Sequence, residues 1–237
     1  MKSIKLLALL FVLGIAGAKA QTAEELMDKS IAAMGGADKL KNLKTAYNEG
    51  SIQVQGQEFP IKIWKIQNEA MRMEFEIMGT NNIQVVTKGG GWSLMPVQGQ
   101  TDPTPLDSAK AKMMQPQLSI NGDFYDYKAD GKKMELQGKE NVDGVDAYKI
   151  KITAKDGVES VAYLDPASYY LIRTKNTVTV QGSPMEVTVK LHDYKKTDDG
   201  YAYPSVIEET ASGLTILITK AEYNKPVDQS LFKMPGK

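Results

Sequence analysis

His192 is the only imidazole in the chain, and there is no cysteine at all. One ring leaves no His-rich zinc site and no triad that draws on a second histidine, and without thiols there is no thiolate metal site or sulfur nucleophile. His192 keeps step with Glu186, Thr188 and Lys190 at a spacing of two, which reads as the wet side of a strand rather than a catalytic position. Asp123, Asp126 and Asp130, in "NGDFYDYKAD", could bind calcium or move protons. Their spacing lacks the glycine and terminal glutamate of a calcium loop, so turn and surface roles fit better. Gly89-Gly90-Gly91 could cradle a phosphate, but Trp92 follows in a strand-like run with no helix start, so a hairpin turn is the better reading. No GxSxG, GxxxxGK[ST] or HExxH pattern occurs. Tyr125, Tyr127, Tyr169, Tyr170, Tyr201 and Tyr203 could form a sugar or headgroup platform, yet tyrosine is an ordinary strand residue and carries no chemistry here by itself. These residues describe a protein that is not an enzyme and needs no cofactor.

The elements that hold these residues are mostly strands. Thr22 and Glu25 have the spacing of a capping box, and Ala23, Met27, Ile31 and Met34 recur at helical intervals before Gly35-Gly36. A short second helical piece, "ADKLKNL", follows. From Thr45 the period drops to two, and strands are predicted near 45–55, 59–68, 71–78, 82–88, 91–96, 133–140, 145–154, 158–165, 169–181, 185–196, 201–211 and 214–224. Asn68, Gly79-Thr80-Asn81, Asp143-Gly144, Asp156-Gly157, Gly182-Ser183-Pro184, Asp199-Gly200 and Ser212-Gly213 separate them and tolerate the positive φ of tight hairpins, so neighbours are antiparallel. In "DPTPLDSAKAKMMQPQ", Thr104 is the expected cap and Pro105 the first helical residue, with Leu106, Ala109 and Met113 on one stripe and Pro116 as the stop. The expectation is a mainly β chain of about 10–12 strands, with an N-terminal helix and an inserted helix, forming one domain over residues 21–237.

Residues 1–20 have the form of a secretory signal: Lys2 and Lys5, an apolar run from Leu6 to Ala16, then Ala18-Lys19-Ala20. The run is too short to span a bilayer, and cleavage is expected before Gln21, leaving no membrane span. Basic and acidic residues balance at 29 each, and loss of Lys2, Lys5 and Lys19 leaves 26 basic against 29 acidic. A slightly acidic product with Arg72 and Arg173 as its only arginines is a poor nucleic-acid partner.

The stretch "MRMEFEIM" puts Met71, Met73, Phe75 and Ile77 on one side and Arg72, Glu74 and Glu76 on the other. Phe59, Ile61 and Ile63, Trp92 and Leu94, Ile52 and Val54, Ile150 and Ile152, Val178 and Val180, and Met185, Val187, Val189 and Leu191 read as further inward rows. About eight strands make a barrel that side chains fill, whereas a wider curl leaves room to be occupied. The helices and a ligand are the candidates, and methionine suits a surface that must repack. Met71, Met73, Met78, Met95, Met113 and Met114 are concentrated in the first half of the sheet and its inserted helix. A plain core remains the competing reading of that stripe.

"AMGGADKLKNLKT", "GKENVDGVDAYKIKI", "YLDPASYYLIRTK", "DYKKTDDGYAYPSVI" and "YNKPVDQSLFKMPGK", in that order, resemble the LolA-like outer-membrane lipoprotein-sorting proteins, especially the forms common in Bacteroidetes. The resemblance implies a half-open antiparallel β-barrel whose concave face is covered by helices, working in the periplasm. It implies a carrier that holds lipoprotein acyl chains or lipid and exchanges them with inner- and outer-membrane transfer proteins. Met71, Met73, Phe75, Ile77, Trp92 and Leu94, beside Phe59, Ile61 and Ile63, would line the groove, with Leu106, Met113 and Met114 on the lid. Carriers of the best-known type latch their lid with an inward arginine. Alternation points Arg72 away from Met71 and Met73, so no latch residue is carried over. The alternative is a sensor or interaction protein of the same architecture, resembling regulators that bind an anti-sigma factor or peptide.

Overall fold

The computed structural model describes residues 21–122, 124–180 and 183–236. The expected signal at 1–20, Asp123 of the carboxylate cluster and Gly182 of one predicted turn lie outside the described residues, as do the side chains of Val178 and Val180.

Helix α1 (Ala23–Ala33) begins where the capping box places it: the Thr22 hydroxyl accepts from the Glu25 amide at 3.1 Å, and the Glu25 carboxylate accepts from the Thr22 amide at 3.2 Å. Two otherwise orphaned donors are thereby satisfied. Thr22→Ala is expected to cost about 1 kcal/mol, read as a lower midpoint in urea. The short α2 (Ala37–Lys41) follows.

Among the described residues thirteen strands then form one antiparallel sheet. They are β1 (Thr45–Val54), β2 (Gln57–Ile66), β3 (Ala70–Ile77), β4 (Thr80–Thr87), β5 (Gly90–Leu94), β6 (Thr104–Pro105), β7 (Lys133–Val142), β8 (Val145–Thr153), β9 (Glu159–Leu164), β10 (Leu171–Val180), β11 (Ser183–Lys196), β12 (Ala202–Glu209) and β13 (Leu214–Tyr223). Their spatial order is β6-β5-β4-β3-β2-β1-β13-β12-β11-β10-β9-β8-β7. The chain meanders outward to β6, crosses over, and meanders back from β7 until its last strand pairs with its first. Edges β6 and β7 are not joined among the described residues, so the curl is open on one side.

The extra strand is β6, two residues long, where a helix cap was expected. Thr104 and Pro105 pair with Ser93 and Trp92 at the sheet edge, a place where proline's missing donor is harmless. The inserted helix α3 (Ser108–Met114) therefore starts later, with the Asp107 carboxylate accepting from the Lys110 amide at 2.8 Å, and a 3-10 turn (Gln115–Leu118) continues it past Pro116.

At the central seam Gly50 of β1 lies in a bulge against β13. A Cβ there would fall 1.7 Å from the Leu217 carbonyl oxygen, so this close approach of two backbones admits only glycine.

Candidate functional site

Strand register sorts the side chains into two faces. Ile63 pairs with Met73 and Met73 with Gln84, while Ile61 pairs with Phe75 and Met71 with Val86. Successive partners share a face, so Phe59, Ile61, Ile63, Met71, Met73, Phe75 and Ile77 stand together on the inner side, as expected. The helices cover one end of that side. Helix α1 buries Leu26 and Met27 against Ile150, Ile152, Ala162 and Leu164, each such apolar side chain contributing about 1.5–3 kcal/mol. Met114 and Leu118 pack on Met71 and Val86, with Ile63 and Leu106 at the margin.

This cover is pinned as well as packed. The Leu106 amide donates to the Gly91 carbonyl (3.0 Å), the Gln115 side chain to the Thr87 carbonyl (2.9 Å), and the Asn68 amide to the Leu118 carbonyl (3.1 Å). The Ile120 amide donates to the Gln67 side-chain oxygen at 2.6 Å. Buried Gln84 on the inner face donates to the Met114 sulfur at 3.2 Å. Asn82, fully buried, accepts from the Val97 amide at 3.1 Å and donates to the Thr80 carbonyl at 3.1 Å. Sequence reasoning did not single out Asn82, Gln84 or Ser93. Their signal is a run of polar residues in one inward row: Asn82 opposite Phe75, Gln84 opposite Met73, and Ser93 opposite Gln84.

Three expected lining residues lie elsewhere. Trp92 pairs with Val85 and Val85 with Arg72, which places Trp92, and Leu94 two residues on, on the outer face. There Trp92 is buried under the C-terminal segment: its indole N–H donates to the Phe232 carbonyl at 3.1 Å, and Ala70, Val85 and Phe232 enclose it. Gly91 and Ser93 take the inward positions instead. Met113 is 68% exposed, because a helix that starts at Ser108 turns Ala111 and Met114 toward the sheet.

Arg72 also lies on the outer face, as alternation predicts. It donates to Glu74 at 2.6 Å and to the Leu231 carbonyl at 2.7 Å, and its guanidinium sits 5.6 Å from the Trp92 ring centroid. It straps the C-terminal segment down rather than latching the helical cover. His192 is likewise outside, 3.2 Å from the Glu208 carboxylate.

Beyond the helices the inner face is bare. Leu191, Ile207, Ile216, Ile52 and Phe59 are register partners in sequence across β11, β12, β13, β1 and β2, an unbroken apolar ladder. Each is half-buried, as are Phe75 and Ile77 beside it. None has a charged neighbour in that row, so the floor of the trough is dry and accessible at once. A separate cleft of about 410 Å3 opens between α1 and residues 125–129, lined by Ile31, Tyr125, Tyr127 and Lys128 and containing none of the expected lining residues. Near the covered end, burial first and neighbouring tyrosines second push the Tyr223 phenol up to about 12, so it stays neutral as a packing group beside Tyr201.

No family model and no curated protein matches the chain. Solved structures do. A LolA superfamily protein from Nitrosomonas europaea is 15% identical with a TM-score of 0.56, over 90% of this chain and 98% of that one. A domain from Vibrio parahaemolyticus assigned to outer membrane lipoprotein sorting is 12% identical with a TM-score of 0.54, over 88% and 94%. A DUF1329 family protein from Desulfovibrio piger is 16% identical with a TM-score of 0.53, over 90% and 98%. The chain has the LolA-like fold, a half-open antiparallel barrel with helices on its inner face.

Proposed function

We propose that this protein is an exported, periplasmic carrier that holds the acyl chains of lipids or lipoproteins in the uncovered part of its inner face and passes them toward the outer membrane. The observation that carries this reading is the half-buried ladder Leu191-Ile207-Ile216-Ile52-Phe59 with Phe75 and Ile77. A fold of this size buries such a row unless something else covers it. The LolA-like fold, shared with a structure named for lipoprotein sorting, agrees with that occupant.

Burying an acyl chain releases about 0.8 kcal/mol per methylene, so a dry trough needs no specific polar contact to bind one. Letting go is the harder step. The cover formed by Leu106, Ala111, Met114 and Leu118 rests on the same apolar face as Met71 and Ile63, so it competes with a long chain that extends from the ladder toward Met73. Methionines on both sides of that contact can repack around either occupant. Binding and release then interconvert without nucleotide hydrolysis.

The test is titration of the mature protein with a fluorescent fatty acid. Wild type is expected to bind, and Ile216→Asp, which sets a carboxylate into the ladder, to weaken binding by at least about tenfold while the half-exposed site leaves the melting transition in place. Equal affinity in a folded Ile216→Asp variant would defeat the proposal.

A further inference from the structure

The turn tips at the two ends of the sheet differ in charge. At the end where the helices lie, the connections between strands contain Glu69, Lys88, Asp143, Asp165, Asp198 and Asp199. At the other end, where the bare ladder opens, the turn tips are Gln55-Gly56, Met78-Gly79, Val97-Gln98-Gly99 and Ala211-Ser212-Gly213, with no charge among them. Lys155 and Asp156, toward the β7 edge, and Asp102, toward β6, are charged tip residues, and Glu58, Glu76 and Glu209 flank the uncharged tips, the Glu209 carboxylate accepting from the Ala211 and Ser212 amides. Met78, Val97, Val158 and Met185 stand exposed around this rim, Met78 at 93%.

Met78 is also in the wrong place for stability. It has φ +51 in a tight β3–β4 turn, the left-handed conformation that favours glycine, asparagine and aspartate. At the opposite end Asn68, Asp143 and Asn224 follow that preference at φ between 51 and 57, while Tyr169, left-handed at φ 60, is half-buried and packed against the core beneath α1. A methionine in that conformation, touching almost nothing, does not serve the hairpin.

We infer that these uncharged tips, flanked by glutamates at the strand ends, form a docking surface for a lipid bilayer, with Met78 and Val97 dipping below the headgroups and the glutamines and hydroxyls of neighbouring tips lying among them. This rests on the carrier reading, since it aims the mouth of the trough at the source of acyl chains. A protein partner of fixed shape is met by a contiguous packed patch with a polar border. Here single apolar side chains are spaced around an opening and separated by small polar ones, which suits a boundary that deforms around each tip. The uncharged tips offer nothing to an anionic headgroup and the flanking Glu58, Glu76 and Glu209 repel one, which selects zwitterionic lipid and leaves attachment insensitive to salt.

The experiment is flotation of the mature protein with phosphatidylcholine vesicles at low and high salt, alongside fatty-acid titration without vesicles. Wild type is expected to float equally at both salt levels. Met78→Asn, which supplies a residue the turn favours, should raise the melting temperature, and Met78→Asn with Val97→Gln should lower partition on the order of tenfold with fatty-acid affinity unchanged. Absence of wild-type flotation, flotation lost at high salt, or unchanged flotation of the double variant overturns the inference. Normal flotation with no fatty-acid binding would leave the docking surface standing and remove the carrier reading.

Discussion

Gly50→Ala is expected to remove a large share of the folding stability. The added methyl carbon would sit 1.7 Å from the Leu217 carbonyl oxygen and 2.8 Å from its carbon, so backbone, not a flexible side chain, must retreat. Overpacking inside a core typically costs 1–3 kcal/mol. This site is worse placed, because β1–β13 is the seam that joins the outgoing half of the sheet to the returning half among the described residues. Separating it disturbs hydrogen bonds from Ala46–Tyr223 to Gln53–Thr215 as well as the ladder through Ile52 and Ile216. The expected loss is about 4 kcal/mol or more, beyond the ordinary range for point substitutions. Urea denaturation followed by circular dichroism measures it, and a midpoint equal to wild type would show that the two strands separate at little cost.

Trp92→Ala separates stability from binding. The indole is 3% exposed, enclosed by Ala70, Val85 and Phe232, and bonded to the Phe232 carbonyl, with Arg72 over its ring. Truncating a buried tryptophan costs about 3–5 kcal/mol, and losing this one also frees the C-terminal segment. Since the ring is on the face away from the trough, the fraction that stays folded should bind a fluorescent fatty acid with wild-type affinity. Weakened affinity in proportion to the loss of stability, after correction for unfolded protein, would place Trp92 in the binding path and contradict the register that puts it outside.

That register is also what the sequence could not supply. Strand positions were legible to within a few residues because period-two alternation and turn residues such as Asn68, Asp143-Gly144 and Ser212-Gly213 mark both ends of each strand. The face on which a strand lays its large residues was legible for β3, where Met71, Met73, Phe75 and Ile77 alternate with charge. It was not legible for β5. "GGGWSL" offers a single tryptophan and leucine with no charged counterpart, and a one-residue slip exchanges the faces. The outer face is normally wet, so an apolar Trp92 pointed inward until the C-terminal segment, with Phe232, Leu231 and Val227, was seen to cover it. Met113 failed for a related reason. Pro105 can open a helix or close a sheet edge, and only the pairing of Trp92 with Pro105 decides between them.

The pairing of the first strand with the last has a consequence for how the molecule is made. Ala46 and Tyr223 stand opposite each other although nearly the whole chain separates them. β1 can therefore gain its second neighbour only after everything up to β13 is available, and each hairpin built earlier waits with an open border. Such non-local closure makes for slow assembly. It also makes the unfinished chain a substrate for strand-to-strand association with its own copies, a hazard that ends only when the C-terminal residues arrive.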